Sequence, residues 1–272
     1  MYISLLSRLR LTKYYFICMN WIGLYTLIRR EVVRTKRVLG QAVITPFVTA
    51  VLYIFVFGYV IGSNITAIQG INYISFVFPG VFTMNLVMAV FGATSFSIYF
   101  MKFQKTIEDM LTLPLSYTEL MVSLIVGGVV RALAITVSLS FVAIMFGVNT
   151  LVHPWILIGY VLLISILFGL FGIVAGIWAD NSFEKFGMVT NFILTPLTFL
   201  GGAFYSVHML PEKWQFIVHF NPIFYAVDGV RYALTGYHES SLGVGVGILG
   251  ALSLLFLCLC VYIFKTGWKL RS

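Results

Sequence analysis

Three features of the sequence predict an all-α membrane protein with six transmembrane helices. The first is composition. Of 272 residues, 60% are hydrophobic, 17% aromatic and 10% charged, and mean hydropathy is +1.00, whereas soluble domains run about 45–50% apolar and about 25% charged. So little charge does not cover a water-facing surface. That excludes an ordinary soluble enzyme, a disordered chain and a nucleic-acid-binding domain, despite a net charge of +8. The second feature is where charge is missing: Gly40–Met101, Ala132–Ala179, Phe186–Leu210 and Ser240–Phe264 contain no Asp, Glu, Lys or Arg. A spanning helix needs about 20 apolar residues, so the two long stretches hold two helices each and the shorter ones hold one each. The third feature is the uneven placement of the 17 basic residues.

Taken in order, residues 1–39 form a basic N-terminal segment, 40–264 the membrane domain and 265–272 a tail. Within the first segment, Tyr14–Ile28 is nearly apolar but short for a span, and the basic run that follows it, Arg29-Arg30-Glu31-Val32-Val33-Arg34, offers no small-residue cleavage site. It reads as a helix lying in the cytoplasmic interface, with Trp21 and Tyr25 at the boundary. The six spans fall near 40–61, 76–100, 118–147, 154–178, 187–205 and 243–264, separated by turn residues at Gly62-Ser63-Asn64 and Asn149–Pro154. With this layout 14 basic residues lie on the side of the termini, Lys213 and Arg231 lie opposite, and Arg131 falls within a span. Basic residues concentrate on the cytoplasmic side, so both termini are expected there.

Two connections carry further information. Between the second and third spans, Phe103, Ile107, Met110 and Leu111 recur at helical spacing, with Lys102, Lys105, Glu108 and Asp109 on the other side. Pro114 ends this 102–113 helix, and Ser116-Tyr117-Thr118-Glu119 forms a capping box that starts the third span. Such a helix is either a turn packed on the bundle or a docking element for a cytoplasmic partner. The outer connection, 206–242, is too apolar for a free loop, with Trp214, Phe216, Phe220, Phe224 and Tyr225 among its residues. It predicts short helices dipping into the outer leaflet. Pro211 and Pro222 suit their first turns, and Asp228 and Arg231 are spaced to pair on one helix face.

The outer connection also carries a family resemblance. Leu210-Pro211-Glu212-Lys213-Trp214 followed by Asn221-Pro222-Ile223-Phe224-Tyr225-Ala226-Val227-Asp228-Gly229-Val230-Arg231 resembles the signature of ABC-2-type permeases, the membrane subunits of bacterial ATP-binding-cassette exporters for drugs, lipids and polysaccharides. Phe78-Pro79-Gly80, the Glu108–Pro114 loop and Gly201-Gly202-Ala203-Phe204-Tyr205 match as well, in family order. The resemblance implies a transport subunit of the bacterial inner membrane, paired with a second copy of itself and with a separate ATPase. ATP and Mg would sit on the ATPase, and this chain would bind no cofactor of its own. It further implies that Lys102, Phe103, Lys105, Ile107, Glu108, Asp109 and Pro114 belong to an ATPase-coupling helix. Pro211, Asn221, Pro222, Tyr225, Asp228 and Arg231 would belong to outer re-entrant helices.

The remaining residues bear on the alternatives. The sequence contains no Gly-x-x-x-x-Gly-Lys-Ser/Thr loop, no His-Glu-x-x-His and no Gly-x-Ser-x-Gly, so neither a nucleotide-binding nor a hydrolase site is expected. An ion-coupled secondary transporter or a channel is the alternative reading. It is disfavoured because no Asp or Glu falls at mid-membrane depth. Arg131 is a candidate for the translocation path, since a guanidinium within a span must face the bundle or a cavity. Phe47, Tyr53, Tyr59, Phe82, Phe91 and Tyr99 could line a carbohydrate path, but such aromatics are more often packing or lipid-facing residues, and the three cysteines and four histidines lack the spacing of a disulfide or metal site.

Overall fold

Apolar segments that must satisfy their own amides become helices, and this chain is helical through most of its length. The computed structural model describes residues 20–62, 67–68, 70–107, 110, 115–148, 151–179 and 182–269. Helix α1 is Trp21–Arg37. Helix α2, Leu39–Tyr53, continues as a π-helical stretch over Ile54–Ile61. A two-residue antiparallel ladder, β1 (Ala67–Ile68) and β2 (Ile71–Asn72), precedes α3, Tyr73–Phe103. Then come α4 (Tyr117–Met145) and α5 (Pro154–Ala179). A broken run follows, made of α6 (Phe183–Met188), a π-helical turn (Val189–Leu194) and α7 (Thr195–Phe199). Beyond it lie a 3₁₀ turn (Val207–Met209), α8 (Glu212–His219), α9 (Pro222–Thr235) and α10 (Leu242–Thr266).

Among the described residues, five helices are long and apolar enough to cross a membrane: Gly40–Val60, Tyr73–Phe103, Tyr117–Met145, Pro154–Ala179 and Leu242–Thr266. Each agrees with a predicted span to within a few residues. The predicted span at 187–205 does not form as one regular helix. Its helical run covers 183–199, is interrupted by the π-helical turn, and ends where Gly202 takes a left-handed φ of 69°.

Helix starts follow the sequence closely. Ser116 and Glu119 close the expected capping box on α4, Asn72 caps α3 and Asn221 caps α9 with Pro222 in the first turn.

Helix α3 is the centre of the bundle, buried over most of its length between Phe76 and Ile98, with Phe96 exposed. It packs most closely on α5, where small residues let backbones approach. A β-carbon at Gly172 would stand 2.8 Å from the Phe91 carbonyl oxygen, and one at Gly176 would stand 2.6 Å from that of Ser95. The bundle has two distinct ends. At the basic end, Tyr117 of α4 stacks on Phe264 of α10 and Tyr99 of α3 meets Phe183. At the opposite end, the Tyr73 hydroxyl donates to the Phe204 carbonyl, the His153 amide donates to Ala233, and Phe76 faces Tyr237. The segment from Phe183 to Phe204 therefore touches both ends of the bundle.

Candidate functional site: a groove between α2, α3 and the 183–199 run

Helices α2, α3 and α7 enclose an open groove of about 820 Å³, within the range of small-molecule sites. Its walls are Gln41, Thr45 and Thr49 of α2, Met84, Asn85, Met88 and Phe96 of α3, and Thr195, Thr198 and Phe199 of α7. Towards the opposite end the groove meets an aromatic cluster. Phe57 stacks on Phe204 at 4.2 Å, and Tyr53 and Phe199 lie 5.6 and 5.8 Å from the same ring. The two π-helical stretches flank this cluster, one directly after Tyr53 and one directly before Thr195. Of the six aromatics weighed from sequence, Tyr53 lines the groove, while Phe82 and Phe91 are core and Tyr59 is exposed.

The basic end of the groove is built around Glu31, buried at 1% exposure. Its carboxylate receives Arg30 at 2.9 Å and Arg34 at 2.8 Å. Arg34 also donates to the Ser97 hydroxyl and, at 3.3 Å, to the Ala93 carbonyl. Glu31 fits because Gly127 of α4 presents no side chain there; a β-carbon would come within 3.0 Å of the Glu31 Cβ. Burial pushes the Arg34 guanidinium down from its usual range, with Glu31 opposing, yet arginine stays charged at neutral pH. One turn beyond Gly127 on α4 stands Arg131, which lines the groove together with Arg34. Among the described residues Arg131 makes no hydrogen bond or ion pair, and its Nε is sealed from solvent. The sequence-level candidate Arg131 thus lies in the cavity. Its neighbours Arg34 and Glu31 were not singled out, although Glu31 is the one acidic residue before Glu108.

The N-terminal helix differs from its expected form. Instead of covering 14–28, whose first residues lie outside the described ones, it runs over Trp21–Arg37 through the basic cluster. It begins beside α4, where the Asn20 amide donates to Glu119 at 2.5 Å. Trp21, Ile22 and Tyr25 face outward.

The 102–113 helix also differs. Lys102 and Phe103 are the last turn of α3, and Lys105 takes a left-handed φ of 58° that breaks the helical repeat. The expected faces are therefore reversed at its start: Lys102 is buried, its Nζ donating to the Ile177 carbonyl, while Phe103 is exposed. Ile107 is buried against Leu27, Met101 and Leu120 as its spacing suggested. Glu108, Asp109 and Pro114 lie outside the described residues.

In the outer motif, Pro211 precedes α8 and Asn221 both caps α9 and donates to the Leu197 carbonyl at 2.6 Å. Tyr225 donates to the His219 carbonyl at 2.9 Å. The expected Asp228–Arg231 pair is not made. Asp228 instead accepts from the amides of Glu239 and Ser240 at 2.7 and 2.9 Å, which fixes the turn into α10. Arg231, fully buried, lies 4.0 Å over the Phe76 ring and donates to the Gly202 carbonyl at 2.5 Å. Each finds a tertiary partner because α9 is buried on several sides; an exposed helix would have left them only each other.

A bundle of long apolar helices around a groove of solute size, with half-buried arginines at one end, defines a multi-pass membrane transport protein. The comparisons with known proteins agree. A family model described as ABC-2 type transporter matches residues 23–235. The inner membrane transport permease YadH of Escherichia coli K12 is 33% identical over 253 residues, covering 93% of this chain and 98% of that protein. Nodulation protein J of Rhizobium leguminosarum bv. viciae is 24% identical over 90% of each chain, and that of Rhizobium meliloti is 26% identical over 85% of this chain and 87% of its own. The chain belongs to the ABC-2 type transporter family and is the membrane subunit of an ATP-binding-cassette transporter.

Proposed function

We infer that this chain is the path-forming subunit of an exporter, and that the groove between α2, α3 and α7 is its path. The observation that carries this reading is the groove itself. It carries Arg34 and Arg131 at the basic end, meets the Tyr53–Phe57–Phe199–Phe204 cluster towards the other, and is lined by apolar side chains interspersed with neutral polar groups, with no carboxylate among its lining residues. That lining suits an amphipathic solute better than a coupling cation.

In the mechanism we propose, the 183–199 run is a sixth, short and kinked crossing, which puts the basic end and both termini in the cytoplasm of a bacterial inner-membrane protein. Helix α1 lies at the cytoplasmic membrane surface, and α8 and α9 dip back from the outer side. A second copy of the chain closes the open side of the groove. A separate ATPase holds ATP and Mg, and this chain has no catalytic site. Nucleotide-driven closure of the ATPases pushes on the 102–113 segment, the push reaches the bundle through Ile107 and α3, and the aromatic cluster parts. The π-helical stretches beside it are suited to that motion, since a π turn lacks the regular i→i−4 ladder and often marks a functional site.

Co-purification tests the reading. A tagged chain expressed with its genomic neighbours is expected to bring down an ATPase, and Glu108→Arg combined with Asp109→Arg is expected to weaken that association. A chain that never retains an ATPase would overturn the exporter assignment. Intact assembly in the double variant would overturn the docking role of the segment.

A further inference from the structure

Several contacts set the arginine end of the groove at one level of the bundle. Arg34 donates to Ala93 of α3, Gly128 of α4 packs on Thr94 and Val90, and Gly172 of α5 packs on Thr94. Cys260 of α10 reaches the Leu170 carbonyl of the same α5 region. These residues share one level of the bundle. From that level to the opposite end, α3 (Ala93 back to Tyr73), α5 (Gly172 back to Pro154) and α10 (Cys260 back to Leu242) each extend about 27–30 Å at 1.5 Å per residue. That is the thickness of the hydrocarbon core, about 30 Å. The apolar span of α2 likewise begins at Gly40, just past Arg34. The residues below the level are the overhang of α3 to Phe103 and of α4 from Tyr117. Arg34 and Arg131 therefore sit within about one helical turn of the inner hydrocarbon boundary, at head-group depth, while pointing into the groove.

The charge there is uncompensated. Glu31 is already engaged by Arg30 and Arg34. Arg131 has no partner among the described residues, and the charge that acts on it is Arg34, of the same sign. A partly desolvated guanidinium without an anion is costly, and its fork geometry matches phosphate oxygens. Along the groove from this mouth towards the opposite end lie Met88, Met84 and Phe199, interrupted by Asn85.

We propose that the Arg34–Arg131 mouth is a binding site for a phosphate-type anion, presented at the inner leaflet as the head group of a lipid-like solute whose apolar part lies along the groove. The proposal rests on the groove being the transport path. Arg131 carries the discrimination, because it alone of the two is free of a carboxylate.

The test is native mass spectrometry of the purified permease–ATPase complex with three probes: phosphatidic acid, phosphatidylcholine of the same acyl chains, and inorganic pyrophosphate. The wild-type complex is expected to retain phosphatidic acid over phosphatidylcholine by about tenfold, the scale of one charge-assisted contact. Arg131→Gln is expected to bring the two lipids to parity and Arg131→Lys to keep part of the preference. The melting temperature of the Gln variant should hold, because the lost guanidinium leaves no group unpaired. Displacement of phosphatidic acid by pyrophosphate would identify the free anion as a sufficient ligand; retention against it would identify the lipid as the source.

Equal retention of both lipids by the wild type, or an unchanged preference in Arg131→Gln, overturns the proposal. Met88→Trp, which narrows the groove, separates this from the path reading. If it expels both lipids while Arg131→Gln changes nothing, only the head-group inference falls. If it expels neither, the groove is not the lipid's route and the path reading falls with it.

Discussion

Gly80 is required by a backbone rather than by a side chain. It faces the Ala203 turn so closely that a β-carbon would stand 2.5 Å from both the Ala203 Cα and its carbonyl oxygen. Backbone atoms cannot rotate away as a flexible side chain can, so α3 or the 201–205 turn would have to move. Overpacking of this kind costs about 1–3 kcal/mol. Gly80→Ala is therefore expected to lower the thermal unfolding midpoint of the purified protein, whereas Gly92→Ala, which meets open space on the same helix, should leave it in place. Equal midpoints for the two variants would show that the 201–205 turn yields easily. The turn matters beyond its own packing, because its Gly202 carbonyl receives the buried Arg231. A motif that reads in sequence as Phe-Pro-Gly at a helix start is in the structure a contact surface well inside α3. Likewise Asp228 and Arg231 were visible as charged residues three apart, but their partners, Ser240 and Gly202, were not. Spacing reports neighbours along one helix and is silent on what a buried helix meets.

At the scale of elements, α1 is held chiefly against α4, and Glu31 is the most buried of its residues. Glu31→Gln keeps the shape and removes the charge from between Arg30 and Arg34. A fully buried pair broken in this way costs about 3–5 kcal/mol. Here the arginine side chains are 33% and 41% exposed, so water screens much of the loss and about 1–2 kcal/mol is the expected size. That corresponds to roughly 5- to 30-fold faster amide hydrogen exchange along Trp21–Arg37, with α3 unchanged. Exchange that accelerates equally in both helices would mean that Glu31 supports the whole bundle and not the docking of α1. Long elements were legible in the sequence for a simple reason: charge-free stretches of spanning length leave the backbone no alternative to a helix. What stayed hidden is set by local backbone choices with weak sequence signatures. Lys102 and Phe103 belong to α3, whose packing on α5 buries Lys102 and leaves Phe103 exposed, and the left-handed Lys105 then breaks the repeat before Ile107; the π-helical turn at Val189–Leu194 interrupts an otherwise ordinary apolar run. The groove was legible only at Arg131, whose charge stands out. Gln41, Thr49, Asn85 and Phe199 come from segments far apart in the chain and acquire a common role only when α2, α3 and α7 are brought together.

For the whole molecule, the side on which the C-terminus emerges depends on one short run. Five long apolar helices would leave the two termini on opposite sides; a sixth crossing returns them to the same side. At about 26 Å for 17 residues, the 183–199 run is shorter than the hydrocarbon core of about 30 Å, and length alone argues against it. Packing argues the other way, and more directly. Phe183 meets Tyr99 at the basic end of α3, Phe186 meets Phe91 further along, and Phe204 meets Tyr73 at the far end. The run thus follows α3 over most of the length that α3 itself uses to cross. The missing few ångströms are supplied by the extended turn through Ala203. The distribution of basic residues agrees, since Lys265 and Lys269 join Lys185 and Arg29–Arg37 at the same end only if the run crosses. Fusions distinguish the two topologies. A phosphatase that is active only outside the cytoplasm should be active when inserted after Trp214 and inactive when joined to Ser272, and a cytoplasmic fluorescent reporter should show the reverse. A run that turned back without crossing would invert both results together, placing α8 and α9 on the ATPase side and leaving the aromatic cluster at the wrong end of the groove for an exporter.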